Sequence, residues 1–336
     1  MQRLPIKQAM VVFVATFLIL QWGCNKKDNG PTAVQTVPTY SVSVTVQDPS
    51  GVVQGGALVA LQNPPYADPT FQAYTDSAGK ATIKSPAGAQ TILASIGTAF
   101  QVTISVTVTV STTPLIIAPV RLHQNTALKV LVVLADAEQL EAVLHTIGFA
   151  VFDSIYIDAL RDSVVADSAK ALAKLRTYSL VFSDCDGDTE GGDAYAPLSR
   201  VYGRYVSGGG KMYGGHYNYY HLQRIWTSNY QQFDGQDLTP NDSLQITDAT
   251  LSSYVGFTVA KWNSTDSRYL SEYEKFLDLP SNAKIYGVIR GTSPAIGVIV
   301  ENHIGSGKYL WTDYHNQDIK DDVKLVKLVK YFLYSL

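Results

Sequence analysis

Cysteine is nearly absent from this chain: 336 residues hold only Cys24 and Cys185. Two distant thiols make no disulfide framework, so packed cores must hold the fold. Basic clusters are missing too, and the formal net charge is −3. Nucleic acid binding needs a cationic face to neutralise phosphates, so a nucleic acid partner is excluded. No apolar run reaches the roughly 20 residues that a membrane-spanning helix needs. The longest, Met10–Leu20, is broken only by Thr16. What is plentiful is apolar residues in general, at 46%, which excludes wholesale disorder. The length exceeds one ordinary core and suits two domains behind a leader. The 21 tyrosines admit two readings: half-buried strand residues, or a ligand-contacting surface.

The start of the chain has the build of an export signal. Arg3 and Lys7 form a positive stretch, the short apolar run follows, and Gly23-Cys24 comes directly after. This resembles a bacterial lipoprotein signal, in which a small residue precedes a cysteine that becomes the acylated terminus. Residues 1–24 are thus expected to be the signal, Cys24 the lipidated residue, and 25–38, polar and rich in Gly, Pro and Thr, a tether. The resemblance implies an exported protein anchored by lipid to a membrane of the cell envelope. An uncleaved anchor or ordinary secretion are the alternatives.

Residues 39–123 read as a small all-β sandwich. Tyr40–Val46 alternates Val with Ser or Thr, the period of a half-buried strand. Turn signals at Asp48-Pro49-Ser50-Gly51, Thr75–Gly79 and Pro86-Ala87-Gly88 separate further short strands at Ala57–Leu61, Thr91–Ser95, Val102–Val110 and Leu115–Val120. Val44-x-Val46, Asp48-x-x-Gly51, Gly56-Ala57-x-Val59-x-Leu61, Thr75-Asp76-x-x-Gly79-x-Ala81 and Pro86-x-Gly88 resemble a carboxypeptidase regulatory-like (transthyretin-like) domain, of Ig/transthyretin-like build. The resemblance implies a spacer or docking module. Asp48 and Asp76 are expected to bond their own turns.

Residues 126–336 read as an α/β flavodoxin-like three-layer domain with a mostly parallel sheet. Leu128–Ala135 is the continuous apolar run of a doubly buried strand. Asp136 is placed to cap a helix over Ala137–Ile147, and Gly148 to stop it. Strands at Val151–Ile157, Ser179–Phe182 and Lys211–Tyr213 alternate with helices at Asp167–Leu175 and Pro197–Val206. Ile285–Ile289, Ile296–Val300 and Lys308–Thr312 are later strands, and Asp321–Tyr334 is a closing helix. The opening strand, Tyr178–Phe182, Tyr205-Val206-x-x-Gly209-Gly210 and Gly305–His315 together resemble a class I glutamine amidotransferase-like domain.

The resemblance implies a thiol nucleophile on the bend after the fourth strand. Tyr213-Gly214-Gly215-His216-Tyr217 stands there, without Cys or Ser. The family's late histidine matches His315, but its carboxylate partner is matched by Gln317, and a neutral amide does not stabilise an imidazolium as a carboxylate does. Classical glutaminase activity is therefore not expected. Cys185, one strand earlier, has two readings: a small strand-end residue, or a relocated nucleophile paired with His315 or His216.

Asp184, Asp186 and Asp188 lie in a run of five carboxylates that ends at Asp193. Alternate acids offer oxygen ligands to Ca²⁺, and a solvated acidic loop is the rival reading; no other cofactor is expected. Tyr217, Tyr219 and Trp226, with His315, are candidate contacts for a glycan, a peptide or an envelope protein. The rival reading is a helix packing its aromatics inward. The leading expectation is an envelope-tethered binding or scaffold protein that is not an enzyme. The alternative is an envelope hydrolase with a rearranged Cys/His site.

Overall fold

The computed structural model describes residues 37–136, 139–185, 192–226, 230–232, 243–261, 274–276, 282–289, 296–312 and 323–335. The signal, Cys24 and nearly all of the tether lie outside them. Pro38–Leu336 forms one compact unit.

Its first part is built from β1 (Thr39–Gln47), β2 (Leu58–Leu61), β3 (Gln72–Tyr74), β4 (Lys80–Pro86), β5 (Gly88–Ile96), β6 (Phe100–Val108), β7 (Leu115–Arg121) and β8 (His123–Gln124). One sheet has the order β4-β1-β7 and the other β3-β2-β5-β6-β8. The alternation along β1 sends Val42, Val44 and Val46 into the core, where Val59, Ile83, Ile92 and Ala94 join them. The turns are held locally. Asp48 Oδ1 accepts from the N–H groups of Ser50 (2.9 Å) and Val52 (3.0 Å). Asp76 Oδ1 accepts from those of Ala78 and Lys80, both at 2.9 Å. Gly79 closes the second turn at φ 71°, and a Cβ there would lie 2.7 Å from Val46 O.

The second part contains β9 (Val130–Leu134), α1 (Leu140–Thr146), β10 (Asp153–Tyr156), α2 (Ile157–Ala166), α3 (Ser168–Leu175), β11 (Leu180–Ser183), α4 (Ala196–Ser207), β12 (Lys211–Gly214), α5 (Tyr219–Trp226) and β13 (Tyr230–Gln232). It continues with β14 (Ser243–Ile246), α6 (Ala249–Val255), β15 (Val259–Lys261), β16 (Glu274–Phe276), β17 (Lys284–Ile289), β18 (Ile296–Ile304), β19 (Gly307–Thr312) and α7 (Val323–Ser335). The main sheet runs β10-β9-β11-β12-β19-β18-β17-β14-β15. Its first five strands are parallel, in the 2-1-3-4-5 order of flavodoxin-like sheets. From β19 onward every pairing is antiparallel. This half of the sheet departs from the mostly parallel expectation for a physical reason. Only Gly305-Ser306 separates β18 from β19, and a parallel crossover needs a dozen or more residues.

Alternate residues of β9 feed opposite cores. Val130 and Val132 pack with Leu140, Val143 and Leu144 of α1 and with Leu328, Val329 and Phe332 of α7. Leu131 and Val133 pack with Leu160 of α2, Leu175 of α3, Tyr202 of α4 and Leu222 of α5. The first of these cores is continuous with the sandwich core. Phe100 of β6 meets Phe149 and Tyr334 edge-on, with ring centroids 4.7 and 4.8 Å away. Each such pair contributes about 0.5–1.5 kcal/mol beyond the area it buries.

Polar contacts complete the junction. Asp48 Oδ2 is paired with Lys330 of α7, and both side chains are largely buried. Burial alone would raise the Asp48 carboxyl; the bonds from Lys330 and Ser50 outweigh it and hold the carboxyl below its usual range. Gln54 Nε2 donates to Tyr254 Oη at 3.0 Å, and burial pushes that phenol up to about 12. The Gln124 amide accepts from the N–H groups of Ala150 and Val151, each at 2.9 Å, and donates to Val151 O at 2.6 Å.

Candidate functional site

The parallel strand order reverses between β9 and β11, and the crevice outside the carboxyl ends of such strands is where open α/β sheets take ligands. Val133, Ser183, Gly214 and Trp311 stand in one row across β9, β11, β12 and β19. The chain beyond this row forms the candidate site: Asp184 and Cys185 after β11, and the bend Gly215–Asn218 that leads from β12 into α5.

Asn218 staples the two loops together. Its Nδ2 donates to Asp184 O at 2.9 Å and to Ser183 O at 3.3 Å. Its Oδ1 accepts from Tyr309 Oη at 3.4 Å, and its own N–H donates to Gly215 O at 2.9 Å. Gly214 makes this approach feasible. A Cβ there would lie 2.6 Å from Tyr309 Oη and 2.7 Å from Asn218 Cβ. The Trp311 indole donates to His216 O at 2.8 Å, which fixes the bend from the β19 side.

Asp184 is committed to a helix start. Its Oδ1 accepts from Leu140 N at 3.0 Å, while Gln139, the residue before α1, provides no side-chain cap. Asp136 is not the cap: the helix begins four residues beyond it, and the carboxylate that serves its first turn comes from the neighbouring strand end.

The chemistry of this arrangement is positional. A nucleophile elbow is a strained turn that lifts its reactive side chain out of the sheet. Neither Gly214 nor Gly215 is among the glycines with positive φ. Ser183, Asp184, Cys185, His216 and Asn218 are all buried. Between α4 and α5, His221 Nδ1 lies 2.7 Å from Ser199 Oγ and its ring stands edge-on to Tyr202, with centroids 5.0 Å apart. Arg224 of α5 donates to Gly192 O at 3.0 Å.

No protein-family model matches this sequence, and no curated protein matches it. Solved structures do show likenesses. A cytoplasmic protein of Salmonella typhimurium is 13% identical, with 61% of this chain and 98% of that chain covered and a TM-score of 0.40. A GMP synthase-type protein of Thermoplasma acidophilum is 10% identical over 62% of this chain and 94% of that chain, also at 0.40. A β-galactosidase of Rahnella sp. R3 is 12% identical over 62% of this chain and 30% of that chain, at 0.36. Likenesses of this size carry no argument about function.

The residues singled out from sequence fall into three groups. Cys185 and His216 lie at the crevice, both buried. Tyr219 is fully buried in the core that α4 and α5 share, so its ring packs inward and is not a surface platform for a ligand. Asp186, Asp188, His315 and Gln317 lie outside the described residues, as do the side chains of Tyr217 and Trp226. Among the described residues no group of three or more His, Cys, Asp or Glu side chains is disposed to hold a metal ion. Asn218, Trp311 and Ser199 emerge only from the structure. A single Asn between aromatics carries no pattern that reveals which carbonyls it will reach.

Proposed function

We propose that this protein is a non-catalytic binding or scaffold component of the cell envelope, tethered by lipid at Cys24, whose α/β part is an amidotransferase-like domain without the reaction chemistry. The observation that carries the reading is the state of the crevice. Glycines occupy the bend after β12, the polar side chains around it are buried, and Asn218 and the Trp311 indole hold the two loops through backbone carbonyls. The one thiol nearby, Cys185, is fully buried at a strand end. A nucleophile in acyl transfer must meet its substrate and a base within hydrogen-bond reach. The amino-terminal pattern ending in Gly23-Cys24 supports the tether, and the shared core supports a sandwich that is an integral part of the body.

Binding of a glycan or an extended peptide belongs to the same proposal, with Tyr217 and Trp226 as the aromatic contacts. The test has two arms. Glutamine and activated-ester hydrolysis by the full chain should equal the buffer rate, and Cys185→Ser should change nothing. Turnover that disappears in Cys185→Ser would overturn the non-catalytic reading. In a glycan and peptide array, Tyr217→Ala and Trp226→Ala should each lower binding at least tenfold. Unchanged binding would remove these residues from the contact surface.

A further inference from the structure

We infer that two copies of this chain associate edge to edge through β6, antiparallel about a twofold axis at Ser105, so that their sandwiches share one continuous sheet. The inference is independent of the tethered, non-catalytic reading above.

A sheet edge presents unpaired N–H and C=O groups, and natural proteins guard such edges with short strands, charge, proline or bulges. The other edges here are guarded in these ways. β3 has three residues and β8 two. β4 carries Lys80, Lys84 and Pro86. β7 carries Pro119 and meets β1 with a register shift. β10 has four residues, one of them Asp153, and β15 has three. β6 has none of these devices. It pairs with β5 from Phe100 to Val108 without a shift, and β8 covers only Phe100 and Gln101 on its other side. Among the described residues no strand pairs with that side of Val102–Val108.

Two bonds fix which backbone groups point outward. Asn125 N–H donates to Ala99 O at 2.7 Å on the β8 side of β6, and Gln62 N–H donates to Thr91 O at 2.9 Å on the β2 side of β5. Along an antiparallel strand, residues that bond one neighbour alternate with residues that face the other way. Ile92 and Ala94 therefore bond Ile104 and Val102, while Thr103, Ser105 and Thr107 turn their N–H and C=O groups away from β5. The same side exposes apolar surface. Val102, Ile104 and Val106 of β6 and Leu115, Ile117 and Val120 of β7 are only partly buried against the sandwich core.

What selects a second copy as the occupant is that this edge matches itself. Ala87–Val120 contains no Asp, Glu, Lys, Arg or His, so two such edges meet without like-charge repulsion. An axis at Ser105 sets Thr103 against Thr107 of the second copy, Ile104 against Val106, and Val102 against Val108. Hydroxyls then meet on the outer face and β-branched side chains on the inner face, pairings that stabilise a sheet. The outward groups of Thr103, Ser105 and Thr107 all find partners. An axis at Ile104 would instead oppose Thr107 to Gln101, which β8 already pairs. A twofold contact of this kind uses the same patch on both copies and closes at two.

The test measures mass across a dilution series, by native mass spectrometry of the full-length chain released from mild detergent. Wild type should be a dimer that dissociates on dilution. Ser105→Lys and Ser105→Glu each place like charges face to face on the axis, and each should raise the dissociation constant at least tenfold. Mixing the two variants should restore a dimer that holds one chain of each. Amide exchange across 102–108 should be slow in the wild-type dimer and fast in either variant alone. Should these variants fail to fold by circular dichroism, Thr103→Lys with Thr107→Lys and Thr103→Glu with Thr107→Glu repeat the comparison. A wild-type chain that stays monomeric, or that grows beyond two copies, overturns the inference. So does a dimer that survives in both single variants, or a mixture of them that stays monomeric.

Discussion

The aspartates of the sandwich turns work over short stretches of chain, whereas the polar side chains at the switch point work over long ones. Asp68 and Asp76 bond N–H groups two to four residues ahead. Asn218 reaches carbonyls 34 and 35 residues back, Asp184 an N–H group 44 residues away, and Trp311 a carbonyl 95 residues away. A local bond shapes one turn and fails alone. A long-range bond ties elements that meet only when the sheet has formed, so its loss is felt by every loop around the crevice. Asp48 belongs to both kinds: one oxygen serves its own turn and the other pairs with Lys330, 282 residues on.

Substitutions can break this contrast, and the largest effect should come from Lys330→Met. It leaves the local bonds of Asp48 in place but strands a buried carboxylate, at a cost of about 3 kcal/mol in denaturant unfolding. The effect should depend on pH with a defined sign. The folded Asp48 carboxyl lies below its ordinary value of 3.8, so the pair's contribution is fully present above that value. It is lost as pH falls through the lower, folded value. The gap between wild type and Lys330→Met should be constant near neutrality and shrink below about pH 4. A gap that stays level in acid would mean the pair is not the source.

Asn218→Ala comes next, at about 2–3 kcal/mol, because it deprives two buried carbonyls of a donor. Hydrogen exchange should rise in both 183–185 and 214–218, and a rise confined to one loop would contradict the staple. Ser199→Ala removes the hydroxyl that meets His221 and should cost about 1 kcal/mol, read as a small fall in the unfolding midpoint. Asp76→Ala is the smallest, at roughly 0.5–1 kcal/mol, with exchange changing only in 76–80. Changes that spread to the crevice would erase the distinction between the two regions.

The same contrast explains what the sequence made legible. Alternation along Tyr40–Val46 and the Asp-to-Gly turns report on neighbours, and neighbours determine those strands and bends. The unbroken apolar run at Leu128–Ala135 likewise betrays a strand buried on both faces. α2 went unseen because Ile157–Ala166 follows β10 without a break, so no turn signal separates strand from helix. The antiparallel half of the sheet was hidden because strand direction depends on connection length more than on strand composition. At the crevice the empty bend was readable from Gly214-Gly215. That Asp184 would cap α1 in place of Asp136, and that Tyr219 would turn inward, depends on which elements lie side by side.

The central claim is that the polar groups at the switch point hold the structure and do not react. Alkylation of Cys185 in the native full chain, followed by peptide mass spectrometry, tests it most directly. The account predicts protection in buffer, with labelling that appears only as denaturant unfolds the protein. Rapid labelling of the native chain, slowed by an added ligand, would reveal a reachable thiol in a working site and contradict it.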